Sequence, residues 1–182
     1  DHQPRGLLDR VLRSQKDMTI STIVSFLGVL ALMLAGFHGI RHPLIAAAML
    51  AVGMILSFAF ATAAVGHLNI LSASFAPILM GLGCDYAIMY LSRYLELRHK
   101  GESLDDALEN TSASVGASIL TVAIVTALAF YCATFTKFLG VVELGVISAG
   151  GIVLCAIASF FALPPLIKVV DRHVPLAKLP TP

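Results

Sequence analysis

The sequence predicts an all-α polytopic membrane protein, with about five transmembrane helices plus a short cytoplasmic amphipathic helix. Three observations predict it. Of the 182 residues, 58% are apolar and only 13% are charged, against roughly half and one quarter in soluble globular domains. Mean hydropathy is +0.89, so the bilayer is the natural solvent for the excess apolar surface. The apolar residues also fall into five runs, each near the roughly 20 residues that a spanning helix needs.

The first run is Met18 to Phe37 (helix A). It follows a polar juxtamembrane segment, residues 1–17, that has no signal-peptide character. Gly39, Arg41 and Pro43 mark a tight loop. Leu44 to Gly66 (helix B) is rich in Ala, Gly and Ser, which let membrane helices approach closely. Helix C runs from Ile70 to Leu97, and Pro77 within it predicts a kink near Ala73. Ser103 and Asp106 have the spacing of a capping box that opens a short helix. Leu104, Ala107 and Leu108 give that helix an apolar face to lay on the membrane surface or against the helix ends, the alternative being a solvated connector. Val115 to Phe135 (helix D) and Val141 to Leu163 (helix E) are joined by a turn at Lys137 and Gly140, so they return antiparallel. Pro164 and Pro165 predict the end of helix E, or a kink in it. The membrane domain then covers 18–166, and 167–182 forms a basic, Pro-rich cytoplasmic tail with little structure of its own.

Orientation follows from Lys and Arg in the short loops. The A–B loop, C–D segment and tail together carry Arg41, Arg93, Arg98, Lys100, Lys168, Arg172 and Lys178, whereas the opposite loops carry only Lys137. The first set is expected in the cytoplasm. Arg5, Arg10, Arg13 and Lys16 then lie outside, against the rule. A large translocated domain upstream removes this conflict, so the sequence is expected to be a fragment of a longer protein.

Net charge is +1, which implies no general affinity for nucleic acid. Cys84, Cys132 and Cys155 lie in apolar runs and read as small hydrophobes, not as a disulfide or metal set. Five of the six histidines (His38, His42, His67, His99, His173) lie in or beside loops without metal spacing and are assigned no role. With no Trp in the chain, interfacial aromatics must be Tyr and Phe.

Asp85 is the residue that carries chemistry. It lies about 15 residues into helix C, about 22 Å from its outer start, near mid-membrane with a bias to the cytoplasmic half. An ionised carboxylate there costs several kcal/mol unless paired or hydrated. Such a group holds a proton while dry and releases it when water or a partner arrives, which is what a proton relay requires. Gly81, at i−4, shares its face, and Gly81 and Gly83 permit close packing of a neighbouring helix. Tyr86 offers a hydroxyl donor. Thr126, at comparable depth on helix D, and Thr121, nearer the cytoplasm, offer hydroxyls across the helix pair. Glu143, near the outer start of helix E, is a candidate dipole partner or substrate-side group. The competing reading of Asp85 is a hydrogen-bonding glue between helices, and Thr often bonds its own helix backbone.

Residues 81–94, GLGCDYAIMYLSRY, resemble the fourth transmembrane helix of the MMPL branch of the RND (resistance-nodulation-division) superfamily, with its pattern G-L-G-x-D-[YF] and a following S-R-[YF]. Residues 138–152, FLGVVELGVISAGGI, and 163–166, LPPL, resemble the sixth helix, especially of hopanoid-exporter-like members. The resemblance covers about Ser74 to Leu166. It implies one half of the membrane domain of a proton-driven lipid exporter of a bacterial inner membrane. That half is a five-helix unit like a sterol-sensing domain. Asp85 and Tyr86 take the place of the family's relay pair. The coupling ion is the proton and no cofactor is implied. The implied partners are membrane lipids, a lipid or hydrophobic substrate, a second membrane repeat and an external porter-like domain of the same protein. Dimer and trimer are the candidate assemblies.

Three other readings remain. One is a sterol-sensing-type lipid sensor in which Asp85 conducts no protons. Another is an intramembrane aspartyl protease, which needs two carboxyls sharing a proton where only Asp85 lies within a predicted span. The last is a Sec-type translocation accessory protein, against which the Tyr after the Asp and the S-R-Y sequel argue.

Overall fold

The computed structural model describes residues 3–37, 41–66 and 74–172. These form five helices: α1 (Gln3–Phe37), α2 (Arg41–Ala64), α3 (Phe75–His99), α4 (Leu104–Cys132) and α5 (Leu139–Asp171), with one turn of 3-10 helix, Ala133–Phe135, after α4. Among the described residues four stretches are long and apolar enough to cross a membrane: Arg41–Ala64, Phe75–His99, Leu104–Phe135 and Leu139–Asp171. In α1 the apolar part is Thr19–Ala35, about 25 Å long at helical rise. The chain is an all-α polytopic membrane protein.

Helix α5 is the hub. It packs along α2, α4 and α3, and its glycines set the spacing. A Cβ on Gly151 would lie 2.6 Å from Leu79 Cδ1, and one on Gly145 would lie 2.7 Å from the Phe130 carbonyl oxygen. From α2, Gly53 meets Cys155 Sγ at 2.8 Å in the same way. Small residues thus bring the backbones together where apolar side chains gain little from leaving lipid.

The α3–α4 corner is built by local chemistry. Gly101 takes φ +93°, the left-handed conformation that glycine adopts without penalty. Its N–H donates to Arg98 O (3.1 Å) and Glu102 N–H donates to Leu97 O (3.3 Å), a Schellman motif that closes the α3 carbonyls. Ser103 then caps α4, accepting from the Asp106 N–H at 3.2 Å, as the capping spacing predicts.

Several expected boundaries move. The predicted short amphipathic helix is not separate: it forms the first turns of α4, with Ala107 and Leu108 buried. Residues 3–17 are not a distinct juxtamembrane segment but the start of α1. Pro77 stands in the first turn of α3 and Pro43 in that of α2, where the missing N–H would have had no helical partner. The kink expected near Ala73 lies outside the described residues. Pro164 and Pro165 do not end α5, which runs on to Asp171. Membrane helices tolerate proline because neighbouring groups take up the freed carbonyls. The tail predicted at 167–182 is therefore helical as far as Asp171, and the residues from 173 onward are outside the described set.

The two ends of the bundle differ. One end gathers the start of α2, the α3–α4 corner and the end of α5, joined by Lys168–Asp105 (2.6 Å) and by His42–Asp171 (3.3 Å). This basic end unites the loops that the charge count assigns to one side. The opposite, aromatic end exposes Tyr131, Phe135 and Phe138, with Tyr131 and Phe135 edge to face at 6.5 Å. These are the Tyr and Phe anchors expected in place of Trp.

Candidate functional site

Asp85 stands ten residues into α3, about 15 Å from Phe75. It is therefore at mid-membrane without the expected bias toward the basic end. Its side chain faces outward: Asp85 and Gly81, one turn apart, are both exposed, while Tyr86 and Ala87 are buried. The helices of this unit do not enclose the carboxyl, contrary to the expectation of a dry acid held among them. A Cβ on Gly81 would meet nothing within 4 Å, so the helix surface is open at that position. Gly83 is different. It points inward, and a Cβ there would lie 2.8 Å from Leu50 Cδ2 of α2. It permits packing within the unit, not beside Asp85.

The face continues toward the basic end as a groove of about 600 Å³ between α3 and α4, lined by Met89, Ser92, Arg93, Glu96, Ser114 and Ser118. Arg93 donates to Glu96 at 2.7 Å and to Ser114 Oγ at 3.3 Å. Stepping along the antiparallel pair from Arg93–Ser114 brings Thr121 level with Asp85. Thr126 lies a turn and a half further out and about 140° around the axis. Thr121, not Thr126, is thus the threonine level with Asp85, and both lie further from the basic end than expected. Both hydroxyls bond their own helix, Thr121 to Ala117 O and Thr126 to Val122 O, each at 2.7 Å, as threonines in helices commonly do. Glu143 is buried near the aromatic end of α5 but beyond its first turn, where the helix dipole has fallen off.

Tyr86 is 1% exposed and turned into the bundle, and its hydroxyl has no partner among the described residues. It begins a ladder that sequence reasoning passed over. Tyr86, Tyr90 and Tyr94 recur every four residues, so they share one face, and all three are buried. Tyr90 shares a hydrogen bond with Ser112 Oγ at 2.8 Å, and Tyr94 donates to Asp171 Oδ2 at 3.0 Å. Asp171 in turn meets His42 Nε2. His42, without a role on sequence grounds, and Asp171, in the expected tail, are both buried. The period of four could have flagged the tyrosines, but no local spacing links residues 129 positions apart. Among the described residues no group of three or more His, Cys, Asp or Glu side chains could hold a metal.

The MMPL family model matches residues 7–179. The chain belongs to the MMPL family. It is 28% identical over 179 residues to the membrane protein MJ1562 of Methanocaldococcus jannaschii, covering 96% of this chain and 45% of that protein. It is 29% identical over 149 residues to the hopanoid transporter HpnN of Burkholderia multivorans, covering 82% of this chain and 17% of that protein. It is 30% identical over 143 residues to HpnN of Rhodopseudomonas palustris, covering 79% and 16%. The MMPL chain thus spans less than half the length of these curated relatives. It is a membrane-domain unit of a kind found in transporters, not an enzyme.

Proposed function

We propose that this MMPL unit is half of the membrane domain of a proton-motive-force-driven exporter of lipids or other hydrophobic molecules, in a bacterial inner membrane, with Asp85 as the proton relay. The observation that carries the reading is the Asp85–Gly81 face of α3. It holds a mid-membrane carboxyl on the outside of the bundle, one turn from a glycine where the helix surface is open. A carboxyl left against acyl chains costs several kcal/mol. A second membrane repeat docked on Gly81 encloses it instead and supplies its counter-groups. The groove between α3 and α4 then gives water a route from the basic end toward the acid. A proton crossing the membrane field releases roughly 2.3 kcal/mol per 100 mV, which drives export only if access to Asp85 alternates between the two sides. The names of two relatives point to hopanoid-like polycyclic lipids as the cargo class.

The test is Asp85→Asn in the full-length protein, a near-isosteric change that removes the titrating group. Export of the lipid substrate is expected to stop while expression and membrane insertion persist. Undiminished export would refute the relay and leave a lipid-sensing module.

A further inference from the structure

The basic end holds a buried polar cluster, separate from the exposed Asp85 face. His42 Nε2 lies 3.3 Å from Asp171 Oδ2, and both side chains are 1% exposed. Tyr94 donates to the same oxygen at 3.0 Å. The cluster joins the first turn of α2, the last turns of α3 and the end of α5. Tyr94 is nine residues from Asp85, about 14 Å along α3, and faces the opposite way.

Two atoms of the cluster have no partner among the described residues, His42 Nδ1 and Asp171 Oδ1. Buried polar atoms in folded proteins are nearly always satisfied, so each exception calls for a reason. Stability alone is a poor reason, because well-packed apolar side chains usually hold helices at least as well as a buried ion pair. The other charged groups on the packed elements are these. From α3, buried Arg98 lies beside Tyr94 and donates to Glu102 O at 2.7 Å, while its Nε has no hydrogen-bond partner among the described residues. From α5, Lys168 bonds Asp105 of α4, and Arg172 is exposed. On α2, Arg41 is exposed. Helix α1 has no charged residue from Met18 to Phe37.

We propose that His42, Asp171 and Tyr94 form a proton-binding site at the basic end, distinct from Asp85. With Asp171 ionised, the carboxylate has no hydrogen to give, so Nε2 of His42 carries one and donates it to Oδ2. The lone pair of Nδ1 is then left open. A proton from water at the basic end binds there, and the resulting imidazolium stays paired with the carboxylate. Histidine is the side chain suited to exchange a proton near neutrality. Tyr94 holds the carboxylate in place from α3.

The measurement is the pH titration of the imidazole carbon resonances of this chain in lipid nanodiscs, with His42 assigned among the six histidines by its loss in His42→Gln. The His42 signal is expected to move with pH in the native chain. Asp171→Asn and Tyr94→Phe are each expected to alter that response. A His42 signal that does not change with pH, or a response indifferent to both variants, overturns the site. Tyr94→Phe keeps the packed ring and decides the matter if Asp171→Asn does not fold. Asp85→Asn is expected to leave the His42 titration intact, so failure of the Asp85 relay does not remove this site.

Discussion

Gly145 and Gly81 make opposite demands on the same substitution. In Gly145→Ala the new methyl would lie 2.7 Å from the Phe130 carbonyl oxygen and 3.2 Å from Ala133 Cβ. The first of these is backbone in the last turns of α4 and cannot swing aside, so α4 and α5 must part. Overpacking of this kind costs about 1–3 kcal/mol, offset by up to about 1 kcal/mol from the better helix preference of Ala. In Gly81→Ala the methyl meets nothing within 4 Å, and only the helix term remains, a gain of up to about 1 kcal/mol. The helix term is common to both variants, so their difference isolates the clash at about 1–3 kcal/mol. That corresponds to about a 5- to 150-fold difference in folded-to-unfolded ratio. The assay is reversible SDS unfolding of this chain in mixed micelles, followed by far-UV circular dichroism because the chain has no Trp. Equal shifts in the two variants would refute the packing of α5 against α4.

Two further outcomes are expected. Ser103→Ala removes the α4 cap and should cost about 1 kcal/mol in the same titration; no loss would mean that α4 does not start there. Cys132 is exposed near the aromatic end, while Cys84 and Cys155 are buried. A membrane-impermeant maleimide should therefore label Cys132 alone, and from outside the cell. Labelling of Cys132 only from the cytoplasmic side would reverse the orientation.

The spans were legible because lipid demands long apolar runs, and the α3–α4 corner because Gly101 and Ser103 are local signals. The continuity of the helices was not. Polar residues at 3–17 and 104–114 signal a change of solvent, and a helix can cross that change without breaking. Pro164 and Pro165 read as a stop because the sequence does not show the neighbouring helices. At the candidate site, Asp85 and Gly81 stood out by type and spacing. Their outward direction did not, since a face turned to lipid and a face turned to a second repeat are both apolar. The pairing of His42 with Asp171 was hidden for a plainer reason: it is made only by bringing together the first turn of α2 and the end of α5, 129 residues apart.

Proton movement itself is the most direct test. The full-length protein is reconstituted in vesicles under an imposed pH gradient, with a pH-sensitive dye reporting proton flux as lipid substrate is added. Substrate should accelerate proton movement in the native protein and have no effect in Asp85→Asn. Substrate-stimulated flux that survives in Asp85→Asn would contradict the assignment of Asp85 as the relay.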